Sequence, residues 1–159
     1  MQVAEIFVLF CCVFYVFAET PIQKCPEGKE LNDYKLTVKV GNCKRTPCKL
    51  KKGRLIVAEF KFTADRPIKS LSNYVNAQIG GLPFPFIGVD GTTACDHLYE
   101  SDGKTKASCP LAAGQEYVYK NPINILEIYP VVKVNVHWAL RGDDGKDAMC
   151  FEVPASIVN

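Results

Sequence analysis

From Val132 to Arg141 the chain alternates. Val132, Val134, Val136, Trp138 and Leu140 fall on one side, and Lys133, Asn135, His137 and Arg141 on the other. Successive strand side chains point to opposite faces, so this period of two predicts a half-buried antiparallel strand over residues 131–140. Such a strand needs an apolar partner layer. The segment before it, residues 116–130, is rich in aromatic and branched residues but is interrupted by Pro122 and Pro130. Proline cannot donate to a ladder, so this segment predicts a strand, then a wide connection, before the second strand begins. An apolar, irregular connection beside a sheet suggests the mouth of a cavity.

The same period recurs. Tyr34, Leu36, Val38 and Val40 alternate with polar residues over 31–40, and Ile56, Ala58, Phe60 and Phe62 over 54–63. Leu71, Asn73, Val75, Ala77 and Ile79 do so more weakly over 69–79, and residues 115–120 and 149–157 complete the set. Residues 82–87, Leu-Pro-Phe-Pro-Phe-Ile, are extended and apolar, but their prolines exclude them from the centre of a sheet. Asp143-Asp144-Gly145-Lys146 is a hairpin signal between the last two strands. Short strands at this spacing, without an amphipathic helix, predict an all-β sandwich. A chain of 159 residues is one domain's worth, and it shows no repeat or linker.

Residues 6–18 form an apolar run too short to span a bilayer, ending in Val16-Phe17-Ala18. This predicts a signal peptide over 1–18, a domain over 19–159, and secretion. Six cysteines remain: Cys25, Cys43, Cys48, Cys95, Cys109 and Cys150. An even number in an exported chain points to disulfides. Cys43 and Cys48 enclose a short turn that fits a local bridge, and Cys95 and Cys109 flank a polar stretch that a bridge would staple. Cys25 and Cys150 are then left to join the first strand region to the last. By loop entropy such a long bridge is worth about 4–5 kcal/mol.

Chemistry is sparse. There is no Cys-x-x-Cys pair, and His97 and His137 lie far apart, which argues against zinc and leaves both as surface histidines. No nucleophile elbow, zinc-protease helix or phosphate loop occurs, and the Ser101-x-x-Lys104 match lies in a polar loop rather than on a helix. The reading is a non-enzyme without cofactor. The formal charge is only +2, with bases and acids interspersed, which argues against nucleic acid. Lys44, Arg45, Lys49, Lys51, Lys52 and Arg54 form one basic run, read as a solvated turn or, more sharply, as a dock for anionic lipid headgroups.

Taken together, the order of motifs is specific. A leader, an early Cys, Cys-x4-Cys, Gly-Leu-Pro-Phe-Pro-Phe, a stapled loop, Cys-Pro-Leu, Tyr-x-Tyr, Glu-x-Tyr-Pro, a Trp-bearing strand, Asp-Asp-Gly-Lys and Cys-Phe-Glu-Val-Pro follow one another. This order resembles the secreted Niemann-Pick type C-two sterol-binding family of the ML lipid-recognition fold. The resemblance implies an immunoglobulin-like β-sandwich of two antiparallel sheets, about seven strands, with an apolar cavity between them. It also implies the pairings Cys25–Cys150, Cys43–Cys48 and Cys95–Cys109. The family's ligand-binding positions fall on Phe84 and Phe86 of the Pro-x-Pro-Phe element, with Phe86 at the entrance. They also fall on Ile123 and Ile125 of the wall, Tyr129 and Pro130 at the mouth, and the inner Trp138. Phe151 stands where vertebrate relatives carry a second tryptophan. What the resemblance implies is a monomeric, secreted carrier of a sterol, in transient contact with a membrane or receptor. A carrier of fatty acids or semiochemicals, or an innate-immune lipid-recognition protein, is the alternative on the same fold.

Overall fold

The computed structural model describes residues 19–159, so the proposed signal segment 1–18 lies outside the described residues. Among the described residues, nine strands build two sheets. They are β1 (Thr37–Val40), β2 (Cys48–Lys51), β3 (Leu55–Thr63), β4 (Leu71–Ile79), β5 (Leu82–Pro85), β6 (Leu98–Glu100), β7 (Glu116–Asn124), β8 (Lys133–Gly142) and β9 (Asp147–Val158). One sheet runs β1-β3-β7-β6 and the other β2-β9-β8-β4-β5. Their inner faces carry the core: Ala58, Phe60 and Phe62 of β3, Tyr117, Tyr119 and Ile123 of β7, and Val134, Val136, Trp138 and Leu140 of β8 among them. Burying each large apolar side chain contributes about 1.5–3 kcal/mol, which is why the alternating positions fix which face turns inward.

Several expectations need correction. Nine strands replace about seven, because β2, β5 and β6 are only three or four residues long and too short to show a period. The sheets are not wholly antiparallel, since β2 runs parallel to β9, with Cys48 opposite Ala155 and Lys51 opposite Val158. The first alternating segment is a strand only over Thr37–Val40. Leu31–Tyr34 instead forms a 3-10 turn closed by Lys35 in the left-handed region, φ 49°. Residues 82–87 contribute β5, an edge strand that proline tolerates.

Pro122 lies within β7 rather than ending it. Ile125 donates its N–H to the Arg54 carbonyl and accepts the Gly53 N–H, so odd-numbered residues of β7 face β3. Pro122 therefore turns its nitrogen to the opposite edge, where β6 pairs only with Tyr117–Tyr119 and has already ended. The missing donor costs no ladder bond.

The three bridges pair as expected: Cys25–Cys150, Cys43–Cys48 and Cys95–Cys109. The β8–β9 hairpin turn falls where Asp143-Asp144-Gly145-Lys146 predicts it. Gly142 donates to the Lys146 carbonyl at 2.9 Å, Gly145 adopts φ 75°, and Arg66 forks onto Asp144 at 2.7 and 2.9 Å. The Arg66 hydrogen bonds and the Lys146 N–H hold the Asp144 carboxyl down to about 2.

Candidate functional site

The space between the sheets divides into two ends. Towards the β8–β9 turn the interior is filled by rings. Phe60 stacks on Tyr119 at 5.1 Å and meets Trp138 and Phe151 edge-on at 4.8 and 4.9 Å. A buried polar chain pins these rings. Tyr119 donates its hydroxyl to Asn73 Oδ1 at 2.7 Å, Trp138 Nε1 donates to the same oxygen at 3.3 Å, and Asn121 Nδ2 donates to the Tyr119 oxygen at 2.8 Å. Burial pushes the Tyr119 phenol up to about 12, so it remains a neutral donor at all physiological pH.

At the other end the walls are aliphatic. Val40, Leu50, Ile56, Val75, Val136 and Val153 enclose a seam with Phe86, Ile123 and Trp138, and with Cys48 and Ala155 at its margin. No polar side chain contributes to this lining. The free cavity is about 20 Å³, against roughly 300–1,000 Å³ for a typical small-molecule pocket. A lipid can occupy it only if the sheets part or the side chains at its mouth move. Aliphatic walls without a hydrogen bond across them can separate without orphaning any polar group.

Beside the cavity, at Phe86, two segments far apart in sequence meet. The rings of Phe86 and Tyr129 meet at 5.5 Å, and Ile87 donates its N–H to the Tyr129 hydroxyl at 3.0 Å. Burial raises the Tyr129 phenol above its usual value, against the pull of the Ile87 N–H. Around this pair the segments leave Leu82, Phe84, Ile87, Ile128 and Val131 exposed, from 47% for Phe84 to 79% for Ile128. The basic run sits alongside, because Gly53 is bonded to Ile125 and a Cβ there would strike the Glu127 carboxylate.

The residues expected at the site separate into three groups. Phe86, Ile123 and Trp138 line the cavity, and Phe86 is only 6% exposed, more deeply set than an entrance side chain. Tyr129 is half-buried against Phe86, while Phe84 and Pro130 are exposed, and none of the three lines the cavity. Ile125 and Phe151 are fully buried in the core but do not line the cavity; Phe151 packs against Phe60 and Trp138 instead. The aliphatic walls were legible only as strand faces, since alternation marks what points inward and not whether the inward space is filled. Neither histidine is a free surface group. His97 Nδ1 lies 3.2 Å from the Lys120 carbonyl, and the His137 side chain is 17% exposed beside Glu152.

Two sheets that close over a wholly apolar seam, beneath an apolar rim, define a lipid-binding β-sandwich. The ML-domain family model matches residues 19–157, and the chain belongs to that family. It is 32% identical to the dog protein NPC intracellular cholesterol transporter 2 over 130 residues, covering 81% of this chain and 76% of the dog protein. It is also 32% identical to the zebrafish protein of the same name, over 77% of this chain and 76% of that protein. Among solved structures, a Niemann-Pick type C2 protein from the Japanese carpenter ant superposes with a TM-score of 0.65 at 20% identity, covering 76% of this chain and 89% of the ant chain. The protein is a lipid-binding ML-domain protein and not an enzyme.

Proposed function

We propose that the protein is a secreted carrier that holds one sterol in the seam between its sheets and exchanges it with membranes or a receptor. The observation that carries this reading is the wholly apolar cavity lined by Phe86, whose ring meets Tyr129, with exposed Phe84, Ile87 and Ile128 on the same two segments. Burial of ligand surface at about 25 cal/mol per Å² supplies the driving force, and no charged group in the lining opposes a neutral ring system. Two relatives named as cholesterol transporters, at 32% identity each, support the choice of sterol. The rim and the basic run beside it fit a membrane surface: apolar side chains enter the interface while exposed Lys49, Lys51 and Arg54 meet anionic headgroups.

Native mass spectrometry of the purified protein, with extraction and identification of the lipid it carries, tests this. A sterol bound one-to-one, displaced competitively by a fluorescent sterol, is the expected result. Fatty acid bound without any affinity for sterol moves the reading to the fatty-acid alternative. A multi-acyl lipid bound to the exclusion of both overturns the carrier reading in favour of immune recognition.

A further inference from the structure

The six bases between residues 44 and 54 keep their charge unpaired. Elsewhere Lys24, Lys29, Lys61, Arg66 and Arg141 each sit in an ion pair. Among the described residues, none of Lys44, Arg45, Lys49, Lys51, Lys52 and Arg54 does. Three of them, Lys44, Arg45 and Lys49, line a groove of about 580 Å³ that has no acidic residue in its lining. This groove and the apolar cavity share a wall, because Val40, Cys48, Leu50 and Ile56 border both. The wall falls where the sandwich is open. β1 is the edge of one sheet and β2 the edge of the other, and no backbone hydrogen bond joins them among the described residues. The lip therefore consists of Val40 and Ile56 from one sheet and Cys48 and Leu50 from the other, with no ladder across it. The loop that joins the two strands is held in place. Gly41 turns off β1 at φ 51° and donates to the Val57 carbonyl at 2.9 Å. Thr20 Oγ1 accepts the Val40 N–H at 3.0 Å and donates to the Cys43 carbonyl at 2.8 Å, and the Cys43–Cys48 bridge closes the loop. Lys44 and Arg45 are carried on a short tethered turn beside the lip.

We propose that this groove receives the anionic head of the bound lipid, so that the protein selects an amphiphile ending in a sulfate, phosphate or carboxylate. The inference rests on the seam holding the apolar body of the ligand, and it adds what the polar end must be. No polar side chain lines the seam, so a polar group buried there is left without a partner. That end has to leave the seam, and the lip between β1 and β2 leads it into the groove. Its passage breaks no backbone pairing, because none spans the lip. A neutral hydroxyl gains little from three cations. An oxyanion accepts charge-assisted hydrogen bonds from the Arg45 guanidinium and the two ammonium groups, which are stronger than neutral ones. β2 is built for both halves of such a ligand: Cys48 and Leu50 are buried as wall, and Lys49 between them is exposed. A membrane headgroup or a free ion offers the same oxyanion chemistry. The shared wall between groove and seam is what assigns these bases to the head of the bound lipid itself.

The test uses the delipidated protein with its bridges intact and two radiolabelled ligand pairs that differ only in the head. One pair is cholesterol and cholesterol sulfate, the other hexadecanol and hexadecanoate. Without vesicles and at low ionic strength, the anionic member of a pair should bind about tenfold more tightly. At 1 M salt, where the Debye length is about 3 Å, most of that advantage should vanish. Lys44→Gln/Arg45→Gln should lose the advantage and keep wild-type affinity for the neutral member. Lys69→Gln/Lys104→Gln, which removes the same charge at two exposed sites elsewhere, should retain it. Cholesterol bound without any advantage for its sulfate, and hexadecanol equal to hexadecanoate, would overturn this inference and leave the sterol reading standing. Preference for hexadecanoate while neither sterol binds would do the reverse. Equal loss in both double variants would assign the advantage to net charge and overturn the proposal, as would failure of all four ligands to bind. Two further arms separate the sources of the anion. Inorganic sulfate bound as tightly as cholesterol sulfate would make the groove an ion site with no use for an apolar body. Weaker binding of Lys44→Gln/Arg45→Gln to phosphatidylserine-containing vesicles, with its preference in solution unchanged, would give the bases to the membrane. Either result would overturn the proposal.

Discussion

The two ends of the sandwich interior are built from the same alternating strands but to opposite purposes. At the end near the β8–β9 turn, Phe60, Tyr119, Trp138 and Phe151 interlock and are tied by hydrogen bonds to Asn73 and Asn121. At the mouth end, Val75, Val136 and Val153 face Ile56 and Ile123 across a seam with no polar contact. Parting the first end would strand buried donors, at about 1–3 kcal/mol each. Parting the second costs only dispersion contacts, which a ligand restores. A carrier needs both: one end that holds the fold and one that yields. Trp138 belongs to both, its indole lining the cavity while its N–H is bonded to Asn73.

The largest expected effect is at the closed end. Phe60 is wholly buried and touches three other rings, so Phe60→Ala should lower stability by about 3–5 kcal/mol, read from denaturant unfolding of the delipidated protein. If the loss were no greater than for Val136→Ala in the seam, the division into a rigid and a yielding end would be wrong.

How far the sequence revealed this division follows from what periodicity can report. Alternation in β3, β4, β8 and β9 marked the inward residues and hence the core. Cysteine spacing made the three bridges legible. Order of motifs pointed to the mouth segments, and the structure does bring Phe86 to Tyr129. The filling of the interior was hidden, because Phe60 and Val136 sit at equivalent inward positions and only the partners across the gap decide which encloses space. Phe151 illustrates this: its face was legible, but its place against Phe60 and Trp138 puts it behind the cavity wall. The groove beside β1 and β2 was hidden for a different reason, since its bases were legible only as a run and its apolar lip forms only where the edges of two sheets come together.

A second, intermediate effect should appear at the mouth. Phe86→Ala removes one wall of the seam and the ring that meets Tyr129. Lipid affinity should fall by about 1–3 kcal/mol, the scale of one buried aromatic contact. Since Phe86 is buried, the unliganded protein should also unfold more easily, but less than Phe60→Ala, because its surroundings already border free space and can close in. Lipid titration and thermal unfolding of both variants give the ranking. Normal affinity in Phe86→Ala would remove that residue from the ligand path.

The smallest effect lies furthest from the mouth and separates the two ends by pH. In the β8–β9 turn Asp144 is held to about 2 by Arg66 first and by the Lys146 N–H second, below its ordinary 3.8. A carboxylate with a depressed folded value stabilises the fold fully above its unfolded value, and that contribution is lost as pH falls towards the folded one. Asp144 is exposed, so solvent screens the pair and the contribution is small. Wild type and Asp144→Asn should therefore differ slightly in melting temperature at pH 6, and the gap should close between about pH 4 and pH 2. Lipid affinity at pH 6 should be the same in both, since the turn adjoins the ring-packed end and not the seam. A gap that persists unchanged at pH 2 would show that the substitution acts through the turn's geometry rather than its charge. A loss of lipid affinity would show that the two ends are coupled, and that the closed end does not stay fixed when the seam opens.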